Sequence, residues 1–261
     1  MESFAEMLAI PLPSDTEATE KETDYVTYHL SLLPHTTTDG APRVLENCIT
    51  LLESRRLIAS AGATGFRTWE AGLHLGQYLS SNPDLIRGKN VLELGTGTGY
   101  VSVLCAKYLG ASRVVASDGS EDVLNGLSDT AFLNGLQGSQ VLIPKELMWG
   151  NALVGTEEEK WDGGNEVDVV LGADITYDTR AMPALIATLD ELFGLYPKVQ
   201  VLICTAERNI ETLRTLLEQC KGAGMETSSV EFPLPKAEEQ LGPFYDTSVP
   251  IHIVEIRRGG I

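Results

Sequence analysis

The stretch Val91-Leu92-Glu93-Leu94-Gly95-Thr96-Gly97-Thr98-Gly99 constrains this chain more than any other. An apolar run ends in an acid and three alternating glycines, and an amphipathic segment follows at once. That order predicts a strand, a tight turn and a helix, with backbone brought close to a small polar ligand. Glycine serves there because it tolerates positive φ and carries no Cβ. A pyrophosphate cradle relies on N–H groups and positive potential at the helix start. Glu93 at the strand end instead suits a ligand that offers hydroxyls or an amine. The dinucleotide fingerprint G-x-G-x-x-G would need its third glycine where Tyr100 stands. Further on, Arg113-Val114-Val115-Ala116 closes on Ser117-Asp118. An acid about 20 residues beyond such glycines is where a ribose diol is usually held.

Composition narrows the class. The 261 residues suffice for one sizeable domain with an N-terminal extension, and 43% hydrophobic content supplies a core. No run approaches the roughly 18 apolar residues that span a bilayer. Glu2 and Glu6 make the start unlike a secretory signal. Cys48, Cys105, Cys204 and Cys220 are widely spaced, which fits core thiols in a reducing, cytoplasmic compartment. A net charge of −18 argues against direct nucleic-acid binding, since phosphates demand a basic surface. The same charge serves solubility, or steers a basic partner inward. His29, His35, His74 and His252 lack metal-ligand spacing, so no metal site is expected. A nucleophile elbow of the G-x-S-x-G kind is absent.

Residues 1–60 read as an N-terminal extension and residues 61–261 as the main domain. Within the extension, 14–24 is acidic and Thr-rich, as a linker would be. Helical spacing over 42–59 runs through Val44, Leu45, Cys48, Leu51, Leu52 and Ile58. A second helix is predicted over 69–79. Strands are then predicted at 91–94, 113–117, 140–143, 167–171 and 199–204. Helices at 100–109, 122–133, 181–195 and 210–220 alternate with them. Late strands at 227–232 and 251–255 have no helix between them and should pair as an antiparallel edge. The fold class is therefore α/β: a Rossmann-like, doubly wound seven-stranded sheet, mostly parallel with an antiparallel edge, plus a helical N-terminal extension. In such sheets ligands sit beyond the carboxyl ends of the central strands.

Glu93, Asp118 and Asp174 all fall at such ends. Asp174 and Tyr177 should face the crevice of the glycine turn, or else cap and edge the next helix. Trp149, in a loop after the third strand, either stacks on a purine or closes the core. For Trp69, after Phe66-Arg67-Thr68 at the entrance to a helix, the plain reading is likewise core packing.

Together the motifs resemble a family. Thr68-Trp69-Glu70-Ala71, residues 91–99, Ser117-Asp118, Leu147-Met148-Trp149-Gly150 and Ala173-Asp174-Ile175-Thr176-Tyr177 resemble the seven-strand S-adenosylmethionine-dependent methyltransferases. Within these they are similar to the branch that methylates lysines of non-histone proteins, including the fungal group acting on translation elongation factor 2. The likeness covers about residue 60 to the end. It implies S-adenosylmethionine as cofactor and a protein substrate, elongation factor 2; the net charge and the lack of a long apolar run leave nucleic acid and membrane out of the expected partners. It further implies that Gly95, Thr96 and Gly97 pass under the cofactor's amino acid portion, with Glu93 setting the turn. Asp118 would hold the ribose, Trp149 would pack on adenine, and Trp69 and Ala173 would line the pocket. Asp174 and Tyr177 would stand as catalytic residues near the methyl group and the incoming lysine. Thr176 stands where the family more usually has an apolar residue. The N-terminal extension and Pro243-Phe244-Tyr245 are the expected substrate contacts. A small-molecule methyltransferase would share every cofactor residue. A nicotinamide-dependent oxidoreductase would share the fold, although Glu93 and Tyr100 weigh against it, and a non-catalytic module could also keep it.

Overall fold

Alternating side chains on the central strands point to two different cores. A computed structural model describes residues 23–33, 47–54, 65–155 and 160–259. Val91, Val114, Ala116, Val169 and Leu171 pack into one apolar cluster, while Leu92, Leu94, Val115 and Val170 pack into another. That is the period-2 alternation of a sheet covered on both faces.

In chain order the elements are β1 (Thr23–His29), β2 (Cys48–Ser54), α1 (Glu70–Ser81), β3 (Asn90–Leu94), α2 (Tyr100–Lys107), β4 (Arg113–Asp118), α3 (Glu121–Leu133) and β5 (Leu142–Glu146). There follow β6 (Val169–Ala173), α4 (Met182–Leu195), β7 (Gln200–Ala206), α5 (Ile210–Gly222), β8 (Met225–Val230) and β9 (Ile251–Arg258). Seven strands form one sheet in the order β5-β4-β3-β6-β7-β9-β8. The pairs from β5 through β7 are parallel, and β9 runs antiparallel to both β7 and β8. The expected antiparallel pairing at the edge is present, with the reversed strand one place in from the rim. The strand order reverses between β3 and β6, and it is at such a switch point that a crevice opens. Helices α1, α2 and α3 supply the first core; α4 and α5 supply the second.

The helix expected over 42–59 is corrected by the structure. Cys48–Ser54 is a strand, paired antiparallel with Thr23–His29, and residues 42–46 and 55–59 lie outside the described residues. Ile49 and Leu51, two apart, are fully buried, so strand alternation and not helical spacing orders this segment. The linker expected over 14–24 lies outside the described residues except for Thr23 and Asp24, which open β1. Asn134 of the α3 C-cap fastens the hairpin: its side chain accepts from the Thr50 N–H (3.0 Å) and donates to the Thr50 carbonyl (2.8 Å). Tyr108 Oη donates to the Cys48 carbonyl at 2.7 Å. The boundary expected at residue 60 falls outside the described residues, and the hairpin on its N-terminal side is docked into the first core. Among the described residues no helix is long and apolar enough to cross a membrane.

Candidate functional site

The turn after β3 is braced from inside the fold. Glu93 is 2% exposed, and its Oε2 accepts the hydroxyls of Thr96 (2.8 Å) and Ser102. Burial pushes its carboxyl up to about 7, against the lowering effect of those hydroxyls. Gly97 lies at φ 52, and a Cβ there would sit 3.2 Å from the Gly65 carbonyl oxygen. Two backbones therefore meet where only glycine fits without displacement. Tyr100, in place of a third fingerprint glycine, finds its room at Gly76 of α1, whose added Cβ would stand 2.7 Å from the ring.

Asp118 ends β4 beside this turn. Its Oδ2 accepts from the Gly97 N–H at 3.2 Å and its Oδ1 from the Ser120 N–H at 3.0 Å, and both oxygens keep further lone pairs. Burial raises its carboxyl above the ordinary range, and the backbone N–H groups pull it back.

On the far side of β3, Asp174 follows β6 in a left-handed conformation, φ 55, unusual for a residue with a Cβ. Its Oδ1 accepts from the Ala206 N–H (3.0 Å) and its Oδ2 from Arg208 Nη1 (3.0 Å). Burial raises this carboxyl, while the Ala206 N–H and the Arg208 guanidinium oppose the rise. Arg208 also pairs with Glu70, and Glu70 with Arg67 at 3.3 Å. Both guanidiniums stack on Trp69, each 5.0 Å from the ring centroid. Thr176 is buried and shares a 2.9 Å hydrogen bond with Thr205, so its hydroxyl is satisfied.

A crevice of about 680 Å³ joins these parts over the switch point. Trp69, Glu93, Gly95, Thr96, Gly97, Asp118, Trp149, Ala173, Asp174 and Tyr177 all line it, so every site residue expected from the sequence is brought to one place. Tyr177 is 60% exposed at the mouth. Arg208, Thr68 and Gly65 also line it; Thr68 figures in the sequence reading only as part of a motif, with no role at the site, and the other two are not singled out there. The rule that ligand residues follow strand ends could have found Arg208, two residues beyond β7. Thr68 bridges the wall to the hairpin: its hydroxyl donates to buried Glu53 of β2 at 2.6 Å and meets Thr98 Oγ1 at 2.7 Å. Of the expected contact loop 243–245, Phe244 is exposed, but Tyr245 is corrected to a buried position. Its hydroxyl donates to Gln77 and shares a 2.8 Å hydrogen bond with His74 of α1.

The family model described as lysine methyltransferase matches residues 57–221. The chain belongs to the lysine methyltransferase family. A relative from Chaetomium thermophilum, protein-lysine N-methyltransferase EFM3, is 56% identical over 99% of this chain and 74% of its own length. The human protein-lysine N-methyltransferase EEF2KMT is 29% identical over 75% of this chain and 60% of its own, so this chain spans only part of both relatives. In fold it resembles the precorrin-6y C5,15-methyltransferase of Geobacter metallireducens, with a TM-score of 0.50 at 13% identity over 80% of this chain and 93% of that one.

The family implies S-adenosylmethionine, and the crevice fits it on its own chemistry. A carboxylate with spare lone pairs suits a diol, and a half-buried indole beside a glycine turn suits a flat base. The volume lies within the range of small-molecule sites. Among the described residues no three His, Cys, Asp or Glu side chains gather as metal ligands would.

Proposed function

We propose that this protein transfers a methyl group from S-adenosylmethionine to a lysine side chain of translation elongation factor 2, in the cytoplasm. One observation carries the proposal. A glycine turn, the Asp118 carboxylate, an indole and the Asp174–Tyr177 pair share one crevice in a chain of the lysine methyltransferase family. Elongation factor 2 comes from the motif resemblance and agrees with the name EEF2KMT of the human relative. Four free, buried thiols suit a reducing compartment.

In this proposal Asp118 takes the ribose hydroxyls, Trp149 packs on the adenine, and Gly95, Thr96 and Gly97 run under the amino acid portion. Trp69 and Ala173 form the wall at the methyl end. The cofactor, when bound, supplies a sulfonium-activated methyl: the amine lone pair makes the new N–C bond while the S–C electron pair stays on sulfur. The protein's share is alignment. Asp174 orients the amine and Tyr177 walls the channel. A lysine ammonium, ordinarily near 10.4, must first lose its proton to solvent.

The test is to incubate the protein with methyl-labelled S-adenosylmethionine and purified elongation factor 2, then map the label. Label on a lysine of that factor, lost with Asp174→Asn, is expected. Label confined to small molecules in a lysate would support a small-molecule methyltransferase instead, and no transfer at all would end the proposal.

A further inference from the structure

A carboxylate facing a lysine creates a difficulty, because a bare negative charge holds the ammonium form and the reaction needs the free amine. The crevice does not present a bare carboxylate. Asp174 Oδ2 is engaged by Arg208 at 3.0 Å, and the same guanidinium reaches Glu70 and sits over the Trp69 ring, 5.0 Å from its centroid. Arg208 is 42% exposed while Asp174 is nearly enclosed, so the guanidinium is the solvent-open partner of the pair.

We propose that Arg208 is a positioning residue for the methyl-accepting amine: bridging Asp174 and Glu70 against the Trp69 ring, it neutralises Asp174 so that the crevice receives lysine as the free amine. This rests on the lysine reading above. The guanidinium leaves Asp174 able to accept a hydrogen bond and aim the nitrogen, yet removes its pull on a proton. Arginine suits the task because its planar, permanently charged fork can pair two carboxylates and stack on an indole at once.

The groups facing Asp174 make the sign clear. From β7 and its exit come the Cys204 thiol, the Ala206 N–H and Arg208; from the start of α1 come Glu70 and, one step behind it, Arg67; Tyr177 lies on its own segment. Two guanidiniums balance two carboxylates in this set. Removing Arg208 leaves an excess negative charge, which raises the protonation midpoint of Asp174 and of any amine beside it. Turnover needs the carboxylate charged and the amine neutral, so both effects move the acid limb of the kcat profile to higher pH.

The experiment compares wild type with Arg208→Met and Arg208→Lys, with Arg208→Gln as a second uncharged variant. Folding is checked by calorimetric binding of S-adenosylhomocysteine. Asp174 is followed by carboxyl NMR titration, which needs no turnover, and kcat is followed against pH on the methylated protein substrate. In Arg208→Met and Arg208→Gln the Asp174 midpoint and the acid limb should both rise by roughly one pH unit or more. Arg208→Lys should restore both to near wild type. A midpoint that stays put in the uncharged variants, a loss of turnover independent of pH, or an equal rise in Arg208→Lys overturns the assignment. Absence of any lysine methylation by wild type would instead overturn the underlying reaction, and the NMR titration would still decide what Arg208 does to Asp174.

Discussion

The backbone N–H of Gly97 donates to the carboxylate of Asp118 at 3.2 Å, tying the turn after β3 to the end of β4. The glycine turn and the acid about twenty residues later are thus one device. The loop orients the carboxylate, and the carboxylate holds the loop open.

Asp118→Ala should weaken S-adenosylmethionine binding by roughly 10- to 100-fold, the worth of one or two charge-assisted hydrogen bonds to a diol. Calorimetry measures this directly. Undiminished affinity would remove Asp118 from the ribose site.

Gly97→Ala tests the close approach of the two backbones. A side chain at φ 52 and 3.2 Å from the Gly65 oxygen should cost about 1–2 kcal/mol of stability. It should also lower cofactor affinity, because relief comes only by moving the turn. A variant equal to wild type in both thermal melting and affinity would show that the contact is slack.

Glu93 sets a pH dependence. Its carboxyl is held at about 7, against an ordinary value of 4.5. The folded state therefore binds this proton more tightly than the unfolded chain does. The stabilisation is complete below about pH 4.5 and is lost as pH rises through about 7. Glu93→Gln keeps an acceptor for Thr96 and Ser102 without titrating. Relative to wild type, the variant should gain about 3 kcal/mol between pH 4 and pH 8 in denaturant melts. Parallel stability curves would place the charge elsewhere.

Asp174→Asn preserves volume and tolerates the left-handed backbone at φ 55, but it gives up the charge facing Arg208. Cofactor affinity should stay within about threefold while kcat falls by about 100-fold or more, the scale of a lost charge-orienting group. Full turnover would deny Asp174 its place beside the amine.

Asn134→Ala should loosen the hairpin. It leaves the Thr50 N–H and carbonyl without their partner at a packed interface, for a cost of roughly 2–3 kcal/mol. A drop in melting temperature reports it; no change would mean water replaces the amide.

Strand ends were readable because a parallel sheet buries continuous apolar runs and changes to polar residues where the chain leaves it. Val91 to Leu94 followed by glycine, and Val169 to Ala173 followed by Asp174, are such places. The third strand is expected over 140–143 but lies at Leu142–Glu146, running through Pro144. Pro144 is accommodated because β5 is at the rim of the sheet, where a missing N–H costs no ladder bond. The hairpin was hidden for another reason. Cys48, Leu51 and Leu52 happen to match helical spacing, and the partner that makes them a strand, Thr23–His29, is distant in sequence. Arg208 was missed because its meaning depends on Asp174 and Glu70, which only the folded sheet places within reach.

The position of β9 between β7 and β8 bears on how the chain is made. During synthesis β7 is complete before Ile251–Arg258 exist, so its outer row of peptide groups is open until those residues emerge. A nascent chain stalled before residue 251 would carry an adhesive border next to the segment bearing Arg208. The outer border of the sheet is therefore among the last parts of the molecule to become whole, and chaperone demand should peak just before it does.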